Sequence, residues 1–341
     1  MEKIINLVAY PLLLSAIVSY FITPVVIKYA KRLKIIDDPR KNTHPKVIHT
    51  EPIARGGGIP IFFSILIASL FFIPVDKHIV AILLGAFVIF LMGFFDDRYN
   101  LNPYLRLLLG GIGALIPILS GIGINFLTNP FGGIIDLSNP LVSDCFALIW
   151  ILFMMNMLNM GAKGIDGQLS GVTIISAITI TALSFTYSAD ITQWPVIILT
   201  SITAGAFFGF FPWHKFPQKI MPGYGGATLA GYMLAVASIL STTKVGTLIV
   251  VLGIPLIDTG YTILRRVITG KSPVWGDRGH LHHRLLDLGL TKRQVSQVYW
   301  STTAILGILA LNLNSAYKLY TIIGVAFVLG GIILWLTYRS K

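Results

Sequence analysis

The chain has 341 residues, 55% of them hydrophobic and 12% charged, with a net charge of +12 and a mean hydropathy of +0.78. A soluble domain carries roughly 25% charged residues, so the composition excludes an ordinary water-soluble enzyme and indicates a polytopic membrane protein. The basic excess fits cytoplasmic loops held against anionic lipid and anionic substrates, with no nucleic acid among the partners, and the lone Cys145 excludes an internal disulfide.

Apolar runs predict an all-α fold of about eleven transmembrane helices, at about 5–30, 57–74, 79–95, 104–123, 141–160, 170–187, 194–211, 226–241, 245–264, 296–313 and 317–338. The first run lacks a small-residue cleavage site and reads as a span, not a signal peptide. The eighth, after Gly226, is the shortest. Basic residues fall in one set of loops: Lys31 to Arg55, Arg98, Lys163, Lys215 and Lys219, the segment 265–293 and the tail Arg339–Lys341. The opposite set holds little beyond Lys3, Lys77, Lys244 and Lys318. The positive-inside rule therefore sets the N-terminus outside and the C-terminus in the cytoplasm. Outside, residues 124–140 (INFLTNPFGGIIDLSNP) carry the turn punctuation of a small hairpin. With no soluble domain and no internal repeat, residues 1–341 read as a single integral-membrane domain, multi-pass in the cell membrane.

Every polar cluster falls on the cytoplasmic side. The first, IIDDPRKNTHPKVIHTEPIARGGGIPIF, offers Lys41, His44 and Arg55, then the triplet Gly56–Gly58 at a span entrance. Lys41 and His44 lie at the depth of a lipid phosphate, and the glycines permit close approach of either a ligand or another helix. The second, GFFDDRYNLNP, places Asp96 and Asp97 at a membrane boundary, where carboxylates are costly unless solvated, paired or used. Two adjacent carboxylates repel or recruit a cation, and hard oxygen ligands beside a phosphate point to magnesium. The third, NMLNMGAKGIDGQLSG, brings Asn156 and Asn159 onto one helix face and follows them with Lys163 and Asp166. The fourth, HKFPQKIMPGYGGATLAGY, is a glycine-rich turn leading into the eighth span.

The densest polar chemistry lies in RRVITGKSPVWGDRGHLHHRLLDLGLTKR, residues 265–293, with His280, His282 and His283 among basic residues that include Arg278 and Arg284. Phosphate oxygens need donors or positive charge at this density. A positive-inside anchor explains the arginines but not the histidines, and His-x-His-His without a nearby cysteine is not a structural zinc spacing.

In that order, DDPRKNTH with the glycine triplet, GFFDDRYNL, the Asn-x-x-Asn block with GIDG, and PLIDTGYTILRRVITGKSPVWGDRGHLHHRLLDLGL (255–290) resemble the polyprenyl-phosphate N-acetylhexosamine-1-phosphate transferases, relatives of the phospho-N-acetylmuramoyl-pentapeptide transferase. The resemblance runs nearly end to end, and residues 255–290 resemble the branch that uses UDP-N-acetylglucosamine. It implies transfer of a sugar 1-phosphate from a UDP-sugar to polyprenyl (undecaprenyl) phosphate, with release of UMP, starting a cell-envelope glycan on the cytoplasmic face. By position it implies catalytic roles for Asp96, Asp97, Asp166, His282 and His283. It implies substrate binding by Lys41, His44, Asn156, Asn159, Lys163, Arg278, His280 and Arg284, magnesium on Asp97 and Asp166, and a break in the ninth span near Pro255 and Asp258.

Two departures stand out. The third block usually reads Asn-x-x-Asp-Gly-x-Asp-Gly, whereas here one residue is inserted and Lys163 occupies the place of the first aspartate. The fourth usually reads Met-Gly-Asp-x-Gly-Ser with a metal-binding aspartate, whereas Met221 to Gly226 contain no carboxylate. Gly110 also stands where a glutamine is common. An active transferase is the leading expectation. A catalytically silent relative that binds lipid carrier or nucleotide sugar is the second. A transporter is the third, disfavoured because transporters hold their polar sites near the midplane. Self-association into a homodimer is left open.

Overall fold

An apolar segment out of water must satisfy its own backbone hydrogen bonds, so long apolar runs fold as helices. The computed structural model describes residues 1–41, 47–241, 244–272 and 278–339. Its helices are α1 (Glu2–Arg32), α2 (Gly58–Phe72), α3 (Lys77–Tyr99), α4 (Pro103–Leu119), α5 (Pro140–Gly161), α6 (Gln168–Phe185) and α7 (Trp194–His214). They continue as α8 (Gly223–Ile239), α9 (Lys244–Val251), α10 (Gly253–Ile268), α11 (Leu281–Asp287), α12 (Lys292–Asn312) and α13 (Ser315–Arg339). The Asn-Pro turns set two of the boundaries. Asn102 and Asn139 accept backbone N–H groups of the first turns of α4 and α5, and Pro103 and Pro140 follow as the first helical residues.

A helix occupies each of the spans expected from the sequence. Among the described residues six are long and apolar enough to cross a bilayer, or seven if the bent pair α9–α10 is one span. The chain is thus a helical, polytopic membrane protein. The pair bends by 82° between Val251 and Gly253, and Pro255 lies in the first turn of α10, where its missing N–H leaves no intrahelical bond unmade.

The least secure span in the sequence turns out to be central. In α8 every residue from Gly223 to Ser238 is buried, against α5, α3 and α2. Its Gly, Ala, Ser and Thr side chains are small enough to let neighbouring backbones approach. At its start the glycine triplet of α2 resolves in favour of helix packing. The Gly57 N–H donates to Met221 O at 3.1 Å, and a Cβ at Gly57 would come within 2.6 Å of that carbonyl. By contrast the outer α13 is hardly buried at all.

Two small antiparallel pairs complete the fold. β1 (Ile36–Asp37) pairs with β2 (Ile53–Ala54), and Ala54 bridges to Ile220 at the entrance to α8. β3 (Phe126–Thr128) and β4 (Ile134–Asp136) form the hairpin that the punctuation of 124–140 predicts.

Candidate active site

Asp96 and Asp97 lie in the last turn of α3, and the helix ends at Tyr99 because Asn100 takes a left-handed conformation (φ 52°) with its N–H bonded to Asp96 O. Although adjacent, the two carboxylates serve different partners. Asp96, 1% exposed, pairs with Arg106 of α4 at 3.2 Å and accepts the Leu101 N–H at 3.1 Å. Asp97, 5% exposed, lies 3.4 Å from Arg55 Nε and accepts the Tyr224 N–H at 3.3 Å. Separate arginines thus relieve the repulsion expected of adjacent carboxylates.

Position 223 explains one departure from the family pattern. Gly223 has φ +68°, and a Cβ there would collide with the Asp97 carboxylate. The site therefore has no room for the usual aspartate in this conformation, and the neighbouring backbone N–H contacts Asp97 instead. Two cations approach the Tyr224 ring, with the Arg106 guanidinium 4.8 Å and Lys163 Nζ 5.8 Å from its centroid. Lys163 also donates to Asn159 Oδ1 at 2.6 Å, so the residue that replaces an aspartate turns toward the Asp97 side of the site rather than toward open water. Asn156 instead donates to Leu152 O in its own helix at 2.8 Å.

Asp166, 3% exposed, occupies the turn before α6. Its Oδ2 accepts the Gln218 N–H at 3.2 Å, Lys292 Nζ approaches Oδ1 at 3.7 Å, and its carbonyl accepts the Ser296 hydroxyl at 2.8 Å. The buried Oδ1 has no hydrogen-bond partner among the described residues.

The histidine segment joins this turn. Asp258 in α10 contacts His280 Nδ1 at 2.9 Å and accepts the Leu281 N–H at 2.6 Å, so it caps α11 and fixes the first histidine. The His280 and His282 rings stack with centroids 5.5 Å apart, and His282 and His283 lie 4.4 Å apart. All three histidines are buried. His282 packs so closely on Gly164 that a Cβ there would collide with its ring, which joins the third block to the histidine segment. Burial holds the His282 pKa well below the ordinary histidine value, with His283 and His280 acting in the same direction.

Other expected residues lie apart from these contacts. Arg284 donates to the carbonyls of Gly279 and Ile333 and stacks on Tyr261, so it ties α11 to α13 and α10. Arg278 is exposed and pairs with Asp287 at 2.6 Å. Lys41 sits in an exposed turn, and His44 lies outside the described residues. Sequence reasoning passed over Arg106, Tyr224 and Lys292 as site residues. Arg106 carried a signal as an ionisable residue within an apolar span, and Lys292 carried one as a basic residue of the segment around the histidines.

The sequence model of glycosyl transferase family 4 matches residues 79–242, a stretch that contains Asp96, Asp97, Lys163, Asp166 and Gly223. Over that stretch the chain is similar to glycosyl transferase family 4. Among similar proteins, the probable undecaprenyl-phosphate N-acetylglucosaminyl 1-phosphate transferase of Bacillus subtilis is 27% identical over 332 residues, covering 92% of this chain and 87% of the relative. The decaprenyl-phosphate N-acetylglucosaminephosphotransferase of Mycobacterium tuberculosis is 28% identical over 321 residues, covering 83% and 76%. The undecaprenyl-phosphate alpha-N-acetylglucosaminyl 1-phosphate transferase of Thermotoga maritima is 27% identical over 307 residues, covering 88% and 87%.

The donor set does not match a magnesium site built on several carboxylates. Among the described residues no three His, Cys, Asp or Glu side chains converge on one point. Asp97 and Asp166 have different partners, and position 223 offers only backbone. What converges on Asp97 and Tyr224 instead is cationic: Arg55, Arg106 and Lys163.

Proposed function

We propose that this chain transfers N-acetylglucosamine 1-phosphate from UDP-N-acetylglucosamine to a polyprenyl phosphate such as undecaprenyl phosphate, at the cytoplasmic face of the cell membrane. The observation that carries this reading is the linkage of Asp97, Tyr224 and Lys163 at the end of a membrane helix bundle, with His282 packed on the neighbouring Gly164. The similarity to transferases of N-acetylglucosamine phosphate onto undecaprenyl or decaprenyl phosphate agrees with it. In the proposed topology all eleven spans cross, the N-terminus lies outside, and the site faces the side with the basic loops.

In the reaction a lipid phosphate oxygen attacks the sugar-linked phosphorus of the UDP-sugar. A new phosphorus–oxygen bond forms, the bond to the bridging oxygen of the uridylyl phosphate breaks, and UMP leaves with the electron pair. A phosphate monoester has a second pKa of about 6, so the acceptor is largely a dianion at neutral pH and needs no strong base. Phosphoryl transfer then rests on positioning and on stabilising the charge of the transferring group. Arg55 and Lys163 stand where they can meet those oxygens, and neutral His282 can hold sugar or diphosphate. Asp96, enclosed by Arg106 and Leu101, positions α3 against α4.

Magnesium, if held at Asp97 or Asp166, would supply neutralisation of phosphate charge. Lys163 supplies part of that neutralisation as a point charge, without a metal's bridging geometry. Gly223 also favours a second reading, a relative that binds lipid carrier or nucleotide sugar without turnover. Purified protein in lipid nanodiscs, given undecaprenyl phosphate and a panel of UDP-sugars, decides between them. Release of UMP with formation of a lipid-linked sugar supports transfer. Binding of UDP-sugar without UMP release supports the second reading and overturns the first.

A further inference from the structure

A cavity of about 330 Å³ lies between the turn that joins α2 to α3, the turn after α4, the start of α7 and the end of α8. His78 at its wall and Asp97 stand at opposite ends of α3, roughly 30 Å apart along the axis at about 1.5 Å per residue. The cavity is therefore separate from the candidate active site. Its volume falls within the roughly 300–1,000 Å³ of small-molecule sites. Ile82, Ile122, Val196 and Ile239 give it apolar walls, and Asp76 and His78 at the start of α3 are its ionisable side chains. No lysine or arginine lines it among the described residues.

We infer that this cavity binds an apolar chain that ends in a primary ammonium group. The inference is independent of the proposed transfer, which takes place at the other end of the helices. Asp76 caps α3, its Oδ1 accepting the Ile79 N–H at 2.8 Å, and an ionised carboxylate has further acceptor sites to offer. The same cap occupies the helix end that would otherwise draw an anion. His78 Nδ1 is buried without a hydrogen-bond partner among the described residues. In the tautomer with its proton on Nε2, that atom is an acceptor, and leaving it unpaired costs free energy that a ligand's donor recovers. The ring lies against the turn after α4, its Cε1 3.8 Å from where a Cβ on Gly121 would stand. An ammonium brings three donors and a positive charge, enough for both Asp76 and His78. A carboxylate or phosphate would meet a like charge at Asp76, and an alcohol brings one donor and no charge. The hydrocarbon then fills the space beside Ile122, Val196 and Ile239. A free alkylamine and the headgroup of phosphatidylethanolamine both carry this group.

The test uses the full-length protein in phosphatidylglycerol nanodiscs, with its only cysteine removed as Cys145→Ser and a thiol introduced as Thr192→Cys at the cavity wall. Labelling by N-ethylmaleimide is timed with octylamine, octanol or octanoate. At about ten times its dissociation constant, octylamine should slow labelling about tenfold, and octanol or octanoate at the same concentration should not. Asp76→Asn keeps a side chain that can cap the helix but removes the charge, so it should raise the octylamine concentration needed about tenfold. His78→Leu should raise it as well. Replacing phosphatidylglycerol by phosphatidylethanolamine separates the two sources. Slower labelling without octylamine makes the headgroup the occupant, and slowing by octylamine alone makes it a free amine. Native mass spectrometry of the unaltered chain reads the same binding, as a retained octylamine or phosphatidylethanolamine adduct, without relying on the introduced thiol. The inference is overturned by neither protection nor a retained adduct with either amine, by equal protection from octanol or octanoate, or by binding unchanged in both Asp76→Asn and His78→Leu.

Discussion

Gly223 stands directly against the Asp97 carboxylate, so the position that the resemblance pairs with an aspartate is one that only glycine fits. Its φ of +68° excludes ordinary side chains on conformational grounds, and the carboxylate excludes them on steric grounds. Restoring an aspartate by Gly223→Asp is therefore expected to damage the protein. A left-handed non-glycine residue costs about 1–2 kcal/mol, and a second carboxylate beside Asp97 adds repulsion. Gly223→Ala should lower the thermal midpoint in detergent, Gly223→Asp should lower it further, and neither should raise transfer. A Gly223→Asp protein with higher activity and native stability would show that the turn reshapes readily.

Lys163 decides how far the site leans on fixed cations. Its ammonium reaches Asn159 Oδ1 and the Tyr224 ring, on the side of the site where Asp97 accepts the Tyr224 N–H. Removing one preorganised group that stabilises developing charge lowers turnover by about 10²–10³-fold. Lys163→Ala should approach that loss, and Lys163→Arg should keep part of the activity because the charge remains. Wild-type transfer should persist in EDTA at a reduced rate. Complete loss of wild-type activity in EDTA, with Lys163→Ala unimpaired in magnesium, would return the neutralising role to the metal.

Much of the scaffold was legible in the sequence because bilayer-length apolar runs leave the backbone few alternatives to helix. The Asn-Pro turns before Pro103 and Pro140 mark starts that the structure keeps. What stayed illegible depends on how each helix rotates about its axis. Arg106 was one basic residue in an apolar run until packing set it against Asp96 and Tyr224. Arg284 read as a phosphate ligand because it follows the histidines, yet its guanidinium serves the carbonyls of Gly279 and Ile333. The eighth span read as the shortest, yet its small residues are what let α8 sit at the centre. Asp258 was noticed as polar, but its capping of α11 required the bend that turns α10 toward the histidines.

Asp96 and Arg106 form a pair that holds two helices, and Asp96→Asn tests that role. The substitution leaves Arg106 facing a neutral amide in a partly buried setting and weakens a charge-assisted bond. Hydrogen bonds to charged groups contribute about 1.5–3 kcal/mol, so stability should fall within that range. If Asp96 only positions α3 and α4, the surviving activity should keep the wild-type pH profile, and the loss in Asp96→Asn/Arg106→Gln should be smaller than the sum of the single losses. A pH profile altered by Asp96→Asn at unchanged stability would instead make Asp96 a proton acceptor.

His282 gives the fold a pH dependence whose sign follows from its environment. Burial, with His283 and His280 adding to it, holds its folded pKa well below the ordinary value of 6.5. Between the two values the unfolded chain binds a proton that the folded one excludes, so stability rises with pH. The contribution is fully present above about pH 6.5 and declines as the pH falls toward the folded pKa, with a slope approaching about 1.4 kcal/mol per pH unit for one proton. Thermal midpoints in detergent should therefore drop between about pH 7 and pH 5. His282→Gln removes the titrating group while keeping a polar side chain of similar reach, so it should flatten that drop even if the midpoint at neutral pH is lower. An equally steep drop in His282→Gln would assign the acid sensitivity to another group and leave His282 without this role.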